Sequence, residues 1–244
     1  MREREPEAFQ FAPQEYHVPV WDLGVRFFHW ALVLLVTGSV VTIKMGKLDL
    51  HVWCGYGVLA LLIFRILWGF IGGTHARFGS FIAGPGKVFA YMKGMFSREG
   101  HESGLGHNPV GALSVLAMLL VLLFQAVSGL FTNDEDFSFE GPLYKWAGNA
   151  LSNTLTSLHR ANQWVIYALV ALHVLAILFY ALVHRENLVK PMISGYRKIS
   201  GRIDDAAATS RHGSALAAVI VLALAAVAVY FLVNAVKLTG GAGG

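Results

Sequence analysis

Five long apolar stretches alternate with polar loops along the chain. Each is close to the ~20 residues of helix that cross the hydrocarbon core of a bilayer. The stretches cover residues 25–43, 50–71, 109–131, 158–183 and 214–236. Asn108-Pro109 is a favourable start for the third, because Asn caps helix N-termini and Pro is tolerated at the first helical position. The pattern predicts an all-α integral membrane protein, with a four-helix transmembrane bundle and a fifth, C-terminal transmembrane helix.

Composition and charge add an orientation to this prediction. Only 14% of the 244 residues are charged, against about 25% in soluble domains. Of the Lys and Arg residues at the two membrane surfaces, thirteen fall on the side of the N-terminus and five on the opposite side. The positive-inside rule therefore predicts a cytoplasmic N-terminus and an external C-terminus. This sorting accounts for the pI of 9.2, so we expect membrane lipids and no nucleic acid as partners.

The same pattern divides the chain into three parts. Residues 1–24 form a cytoplasmic tail, 25–200 the four-helix bundle, and 201–244 a linker, the fifth helix and a short external tail. The fifth span contains no His and no charged residue, and its small residues favour an anchoring or packing role. The basic, apolar segment 84–98 predicts a short helix on the cytoplasmic membrane surface.

The external loop TNDEDFSFEGPLYK is acidic. It carries Asp134, Glu135, Asp136 and Glu140 against Lys145. It is either a solvated loop or a docking face for a basic periplasmic partner.

Four histidines lie within or at the ends of the spans: His29, His51, His159 and His173. Ionisable and metal-binding side chains at membrane depth usually mark function. The last two are separated by 14 residues of one helix, which advance about 21 Å and return to within about 40° of the same face. The predicted orientation pairs His29 with His173 near the cytoplasm and His51 with His159 near the outside.

Two histidines at each of two depths match the axial ligands of two low-spin haems held between facing helices. The single cysteine, Cys54, excludes an intrachain disulfide, and the sequence contains no CxxCH motif, so the haems would be non-covalent haem b. The alternative is four unrelated buried or capping histidines. Zinc or a carboxylate-bridged di-iron centre does not fit, because each depth has only two histidines and the spans contain no acidic residue.

Three further residues are candidates on the cytoplasmic side. Arg65 lies within the second span, 14 residues after His51, and either binds haem propionates or extends to the membrane surface. His107 and Asn108 precede the third span. His107 is either a helix-entry residue or a quinone contact or proton relay, and Asn108, besides capping the helix, is a second candidate contact for a quinone.

Several motifs resemble the bacterial cytochrome b561 family, which includes the cytochrome b subunits of nickel-dependent hydrogenases. They are WDLGVRFFHW, RILWG, GHNPVG, EGPLY and HRENLVKPMISG, and the resemblance covers roughly residues 18–200. It implies two haem b groups between spans one, two and four. It also implies electron exchange, in a bacterial inner membrane, between quinone and a periplasmic redox protein such as a cytochrome c or a hydrogenase subunit. Gly24 stands where the family usually has proline, which we expect to loosen the helix entrance.

We therefore interpret the chain as an electron-transfer subunit of a quinone-linked oxidoreductase. One alternative is a stand-alone superoxide:quinone oxidoreductase, which the acidic external loop disfavours because superoxide is an anion. A second is a membrane anchor or transporter without redox chemistry, which would leave the histidine pairs unexplained. The identity of the partner, the direction of electron flow and association into a homodimer stay open at this point.

Overall fold

A computed structural model describes residues 15–94, 106, 108–134, 139–200 and 209–240. Its elements are helical apart from four short strands. In chain order they are β1 (Glu15–Pro19), α1 (Leu23–Lys44), α2 (Leu48–Ile71), α3 (Phe78–Phe81), α4 (Pro85–Gly94), α5 (Pro109–Gly129), β2 (Asn133–Asp134), β3 (Phe139–Glu140), α6 (Tyr144–Leu182), α7 (Val189–Ser194), β4 (Tyr196–Ser200) and α8 (Ala215–Gly240).

The five predicted spans are confirmed. Helices α1, α2, α5, α6 and α8 are each long and apolar enough to cross a membrane, so the protein is an all-α integral membrane protein. Helix α5 begins as predicted, with Pro109 in its first turn and the Asn108 side chain accepting a hydrogen bond from the Gly111 amide over 2.7 Å. The predicted surface helix is α4; residues 95–98 of that prediction lie outside the described residues.

The predicted start of the fourth span was wrong. Helix α6 begins at Tyr144 rather than near residue 158, with one non-helical residue, Gly148, at φ 70° and ψ 170°. The added segment is rich in Asn, Ser and Thr and has no long apolar run. Thr154 and Thr156 donate to backbone carbonyls four residues earlier, an arrangement that lets hydroxyl side chains remain within a helix.

Helix α2 is central to the bundle, and α6 packs mainly on α5. Helix α2 contacts α1, α5 and α8. The buried face of α8 carries Ala218, Val221, Ala225 and Val229, so the fifth span packs on the bundle through small and β-branched residues. We call the end of the bundle where α1 begins the N-side, and the opposite end the far side.

On the N-side, a short antiparallel sheet pairs the strand before α1 with the strand that follows α7. Strand β1 pairs with β4, with Glu15 opposite Ser200 and Pro19 opposite Tyr196. The amides of Val20 and Trp21 both donate to the Gly195 carbonyl. The apolar pattern did not predict this pairing, because a five-residue strand is too short to show a period.

Asp22 connects the N-side ends of α1 and α2. Its buried carboxylate accepts hydrogen bonds from the Val25 amide over 2.8 Å, from the Trp68 indole over 3.1 Å and from the Gly73 amide over 2.9 Å. A Cβ atom on Gly24 would lie 2.9 Å from the Trp68 ring. Gly24 therefore lets Trp68 pack closely against α1, instead of loosening the helix entrance as expected.

Candidate functional site

The four histidines form two pairs in the bundle. On the N-side, His29 of α1 faces His173 of α6, with ring centroids 6.4 Å apart. On the far side, His51 of α2 faces His159 of α6, with ring centroids 6.2 Å apart. These are the two pairs that the depth argument predicts, and α6 supplies one member of each.

The spacing within each pair suits a metal ion between the rings. With a metal–nitrogen distance of about 2 Å on each side, two facing imidazoles have centroids about 6 Å apart. Among the residues that the structure describes, no third His, Cys, Asp or Glu joins either pair to complete a metal-binding group. Two nitrogen donors on opposite sides leave the remaining positions around an iron to a porphyrin.

The packing of α6 gives a second test of the fit. Helix α6 packs along α5 and makes only slight backbone contact with α1 and α2 over the described ranges. The histidine pairs nevertheless lie between α6 and these two helices. A flat cofactor at each level would lie between helices that are otherwise loosely packed, so the residues present fit two haems.

The far-side histidines are oriented by backbone carbonyls. Nδ1 of His51 lies 2.9 Å from the Ser39 carbonyl oxygen, and Nδ1 of His159 lies 3.0 Å from the Gln125 carbonyl oxygen. A carbonyl only accepts hydrogen bonds, so Nδ1 carries the proton in both rings. The lone pair is therefore on Nε2, the nitrogen that each ring offers to a metal.

Gln125 is a site residue that the sequence argument missed. Its side-chain Nε2 lies 3.1 Å from Nε2 of His159, and Asn162 donates to its Oε1 over 2.7 Å. In this structure the Gln125 amide N–H donates to the lone pair on that nitrogen, so a metal bound at Nε2 of His159 would displace the amide. The available signal was a pair of amide residues within the apolar spans 109–131 and 158–183, where polar side chains are rare.

The N-side pair has a different environment. Nδ1 of His29 is buried and has no hydrogen-bond partner among the described residues. The ring meets Trp30 edge-on at a centroid distance of 4.9 Å. No hydrogen bond of His173 occurs within the described part of the chain either.

Arg65 is buried on the N-side half of α2. Its side chain is 2% exposed, so it does not extend to the protein surface. The guanidinium lies over the Phe78 ring at 5.1 Å and the Phe81 ring at 6.0 Å, while one terminal nitrogen is buried and has no hydrogen-bond partner among the residues that the structure describes. A buried guanidinium with an unused donor favours an additional anionic group nearby, and a carboxylate fits its geometry.

Asn108 lies in a polar cluster on the N-side. Its Nδ2 donates to the Tyr180 hydroxyl over 2.8 Å, and that hydroxyl is 2.8 Å from the Tyr91 hydroxyl of α4. Burial, and then the hydrogen bond with Tyr180, raise the pKa of Tyr91 above its usual range. Asn108 also caps α5 by accepting a hydrogen bond from the Gly111 amide, so its role at the helix entry is confirmed. His107 lies outside the described residues.

The far-side loop is less acidic than its composition suggests. Asp134 forms an ion pair with Arg160 of α6 over 2.9 Å. Glu140 is exposed in β3, and Glu135 and Asp136 lie outside the described residues.

Comparison with known proteins supports the predicted resemblance. A model of the prokaryotic cytochrome b561 family matches residues 20–195. A probable Ni/Fe-hydrogenase B-type cytochrome subunit of Rhizobium leguminosarum bv. viciae is 27% identical, covering 79% of this chain and 94% of that protein. A probable Ni/Fe-hydrogenase 1 B-type cytochrome subunit of Escherichia coli (strain K12) is 24% identical over 73% of this chain and 89% of that protein. A similar subunit of Rhodobacter capsulatus is 26% identical, with 74% and 81% covered. No solved structure matches the chain.

Proposed function

Since this chain belongs to the prokaryotic cytochrome b561 family, we propose that it binds two haem b groups and passes electrons through them across a bacterial inner membrane. The observation that carries the proposal is the pair of facing histidines at each of two levels, with centroid distances of 6.4 and 6.2 Å. Each pair would hold one haem through its two imidazole rings. Arg65 would hold a propionate of the N-side haem.

The proposed orientation has the N-side in the cytoplasm. Basic residues concentrate there among the described residues, as the positive-inside rule requires of a cytoplasmic surface. Those on the N-side are Arg26, Arg77, Lys87, Lys93, Arg185, Lys190, Arg197, Lys198 and Arg211; those on the far side are Lys44, Lys47, Lys145, Arg160 and Lys237.

The proposed electron partner is a hydrogenase-like redox protein at the far side. The relatives that carry hydrogenase cytochrome names match this chain over most of their own length. The alternative far-side partner is a cytochrome c, which is also a redox protein. The stand-alone superoxide enzyme is less well supported, because Arg160, one of the few far-side cations, is ion-paired with Asp134.

Quinone is the proposed partner on the N-side. The proposed site lies near His29 and His173, at the basic N-side of the bundle. Asn108 remains a candidate contact through its amide group, which already donates to Tyr180, and His107 remains a candidate from the sequence.

The test is the haem content of the purified protein and of two ligand variants. We expect a pyridine haemochrome assay to give about two haems per chain in fully loaded protein. His173→Ala should lose the N-side haem and His51→Ala the far-side haem, because the two sites share only the backbone of α6. His17→Ala, in β1 and outside the spans, is the matched control and should retain both.

One haem per chain in loaded wild-type protein would refute the proposal. So would a folded His173→Ala or His51→Ala variant that lost both haems or neither.

A further inference from the structure

An apolar groove lies along the outer face of α1 on the N-side. It encloses about 370 Å³ between α1 and Ile193 of α7. The side chains of α1 that line it are Leu23, Arg26, Phe27, Trp30, Ala31 and Leu34. Several of them are largely exposed, Leu34 to 73% and Phe27 to 50%, so the described part of the chain leaves the groove open along one side. In a membrane, an apolar surface of this kind lies against lipid.

Arg26 is the one charged residue that lines the groove. Its Nη2 donates to the Ile193 carbonyl oxygen, whereas its Nε is buried and has no hydrogen-bond partner among the described residues. No acidic residue within the described ranges forms an ion pair with it. A charged side chain within a membrane span is costly unless a group of opposite charge pairs with it. The guanidinium fork suits a phosphate or carboxylate group.

The groove covers the depth of a lipid headgroup and the first part of its chains. Arg26 lies in the first turn of α1, and Trp30, one turn further along, donates its indole N–H to the Met192 carbonyl over 3.3 Å. Trp and Arg are typical anchors at the level of the headgroups. From Arg26 to Leu34 the helix advances about 12 Å. One end of the groove therefore offers a cation, and the rest offers an apolar wall.

The charge around this end of the groove favours an anion. Lys190 lies three residues before Ile193 in α7, and residues three apart on a helix are neighbours. The acidic residue that precedes α7, Glu186, is paired with Arg197 over 2.6 Å. Basic pockets beside transmembrane helices bind anionic lipid headgroups. A quinone has a similar amphiphilic shape but an uncharged head, so it would leave Arg26 without a counter-charge.

We propose that this groove binds one anionic phospholipid, with the headgroup phosphate at Arg26 and one acyl chain along Phe27, Ala31 and Leu34. The inference concerns the membrane and does not depend on the two-haem function proposed above. The lipid would also cover Trp30, whose ring meets the His29 ring edge-on at a centroid distance of 4.9 Å. The lipid site therefore lies one side chain away from the N-side histidine pair.

The experiment is native mass spectrometry of the full-length holoprotein, released from micelles that contain dioleoyl phosphatidylglycerol or dioleoyl phosphatidylcholine in increasing amounts. We expect the wild-type protein to bind phosphatidylglycerol roughly tenfold more tightly than phosphatidylcholine, since one charge-assisted contact is of this size. Arg26→Gln should remove the preference. Arg77→Gln, at an exposed N-side arginine outside the groove, is the matched control and should keep it.

A second pair of variants tests the apolar wall. Ala31→Leu narrows the groove without changing its charge, and it should weaken the binding of phosphatidylglycerol by a similar factor, because the acyl chain loses its space. Ala223→Leu, at an exposed alanine of α8, is the control and should bind the lipid like the wild-type protein. An unchanged elution volume in size-exclusion chromatography shows that each variant is folded.

Equal affinity of the wild-type protein for the two lipids would overturn the inference, as would unchanged binding in folded Arg26→Gln or Ala31→Leu protein. Displacement of the lipid by an equal concentration of inorganic phosphate would also overturn it, because the apolar wall would then contribute nothing. Displacement by decylubiquinone would reassign the groove to quinone. Since the readout is bound lipid, each result holds whatever the number of haems in the chain.

Discussion

At the scale of single residues, buried polar groups in this bundle are of two kinds. Asp22 has a full set of donors, from Val25, Trp68 and Gly73. Arg65 has a buried nitrogen with no partner among the described residues. A buried polar group that is fully hydrogen-bonded contributes to structure, whereas one with an unused donor calls for a further partner, such as a bound group, an ion or a water molecule. Asp22 is therefore a structural residue, whereas Arg65 is a residue for which we propose a binding role.

Replacing Arg65 should change a haem potential. We predict that Arg65→Leu lowers the midpoint potential of the N-side haem and leaves the far-side haem unchanged, because the nearby positive charge stabilises the added electron. Arg65→Lys retains the charge and is the matched control, with a smaller shift. A redox titration of both variants is the measurement. If neither haem responds to Arg65→Leu, Arg65 does not bind a propionate.

At the scale of elements, α6 is the helix that contributes a histidine to both pairs. It carries His159 and His173 on one helix, and it extends past the apolar span to Tyr144. The apolar pattern predicted the spans and the 14-residue spacing predicted both histidine pairs, because both depend on regular helix geometry. The polar first turns of α6 could not be predicted in this way, since hydroxyl-to-carbonyl hydrogen bonds leave no hydropathy signal.

Helix α8 should act as a packing element without contact to the haems. Ala225 is 1% exposed on its buried face. We predict that Ala225→Leu lowers the stability of the bundle by about 1–3 kcal/mol through overpacking, and leaves the haem spectrum unchanged. Thermal unfolding in detergent is the measurement. The matched control is Leu224→Ala, at an exposed neighbouring position. A changed spectrum in folded Ala225→Leu protein would place α8 beside a haem.

At the scale of the whole molecule, the two ends of the bundle differ in charge. Basic residues concentrate on the N-side, and the far side carries the acidic loop. The positive-inside rule could be applied to the sequence directly, because it needs only counts of Lys and Arg. The Asp134–Arg160 ion pair could not be predicted, because it joins residues 26 positions apart through the course of α6.

This difference in charge predicts how the rate of electron exchange with a far-side partner depends on salt concentration. Electron exchange with a basic partner should slow as the Debye length falls from about 30 to 8 Å. Replacing Asp134, Glu135 and Asp136 by Asn or Gln should slow the low-salt rate and flatten the salt dependence. Stopped-flow kinetics at several salt concentrations is the measurement, with Glu15→Gln on the N-side as the control.

Rates that do not respond to salt or to the loop variant would contradict acidic docking. A faster reaction with superoxide in the loop variant would instead favour the stand-alone enzyme.

The pairing of β1 with β4 has a consequence for synthesis of the chain. Residues 15–19 leave the ribosome first among the described residues, but their partner strand, 196–200, follows the fourth membrane span. The N-side sheet therefore forms only after four helices have been synthesised, and closing it is a late step in assembly. A nascent chain halted before residue 196 contains all four histidines but lacks the strand that joins its N-terminus to the end of α6.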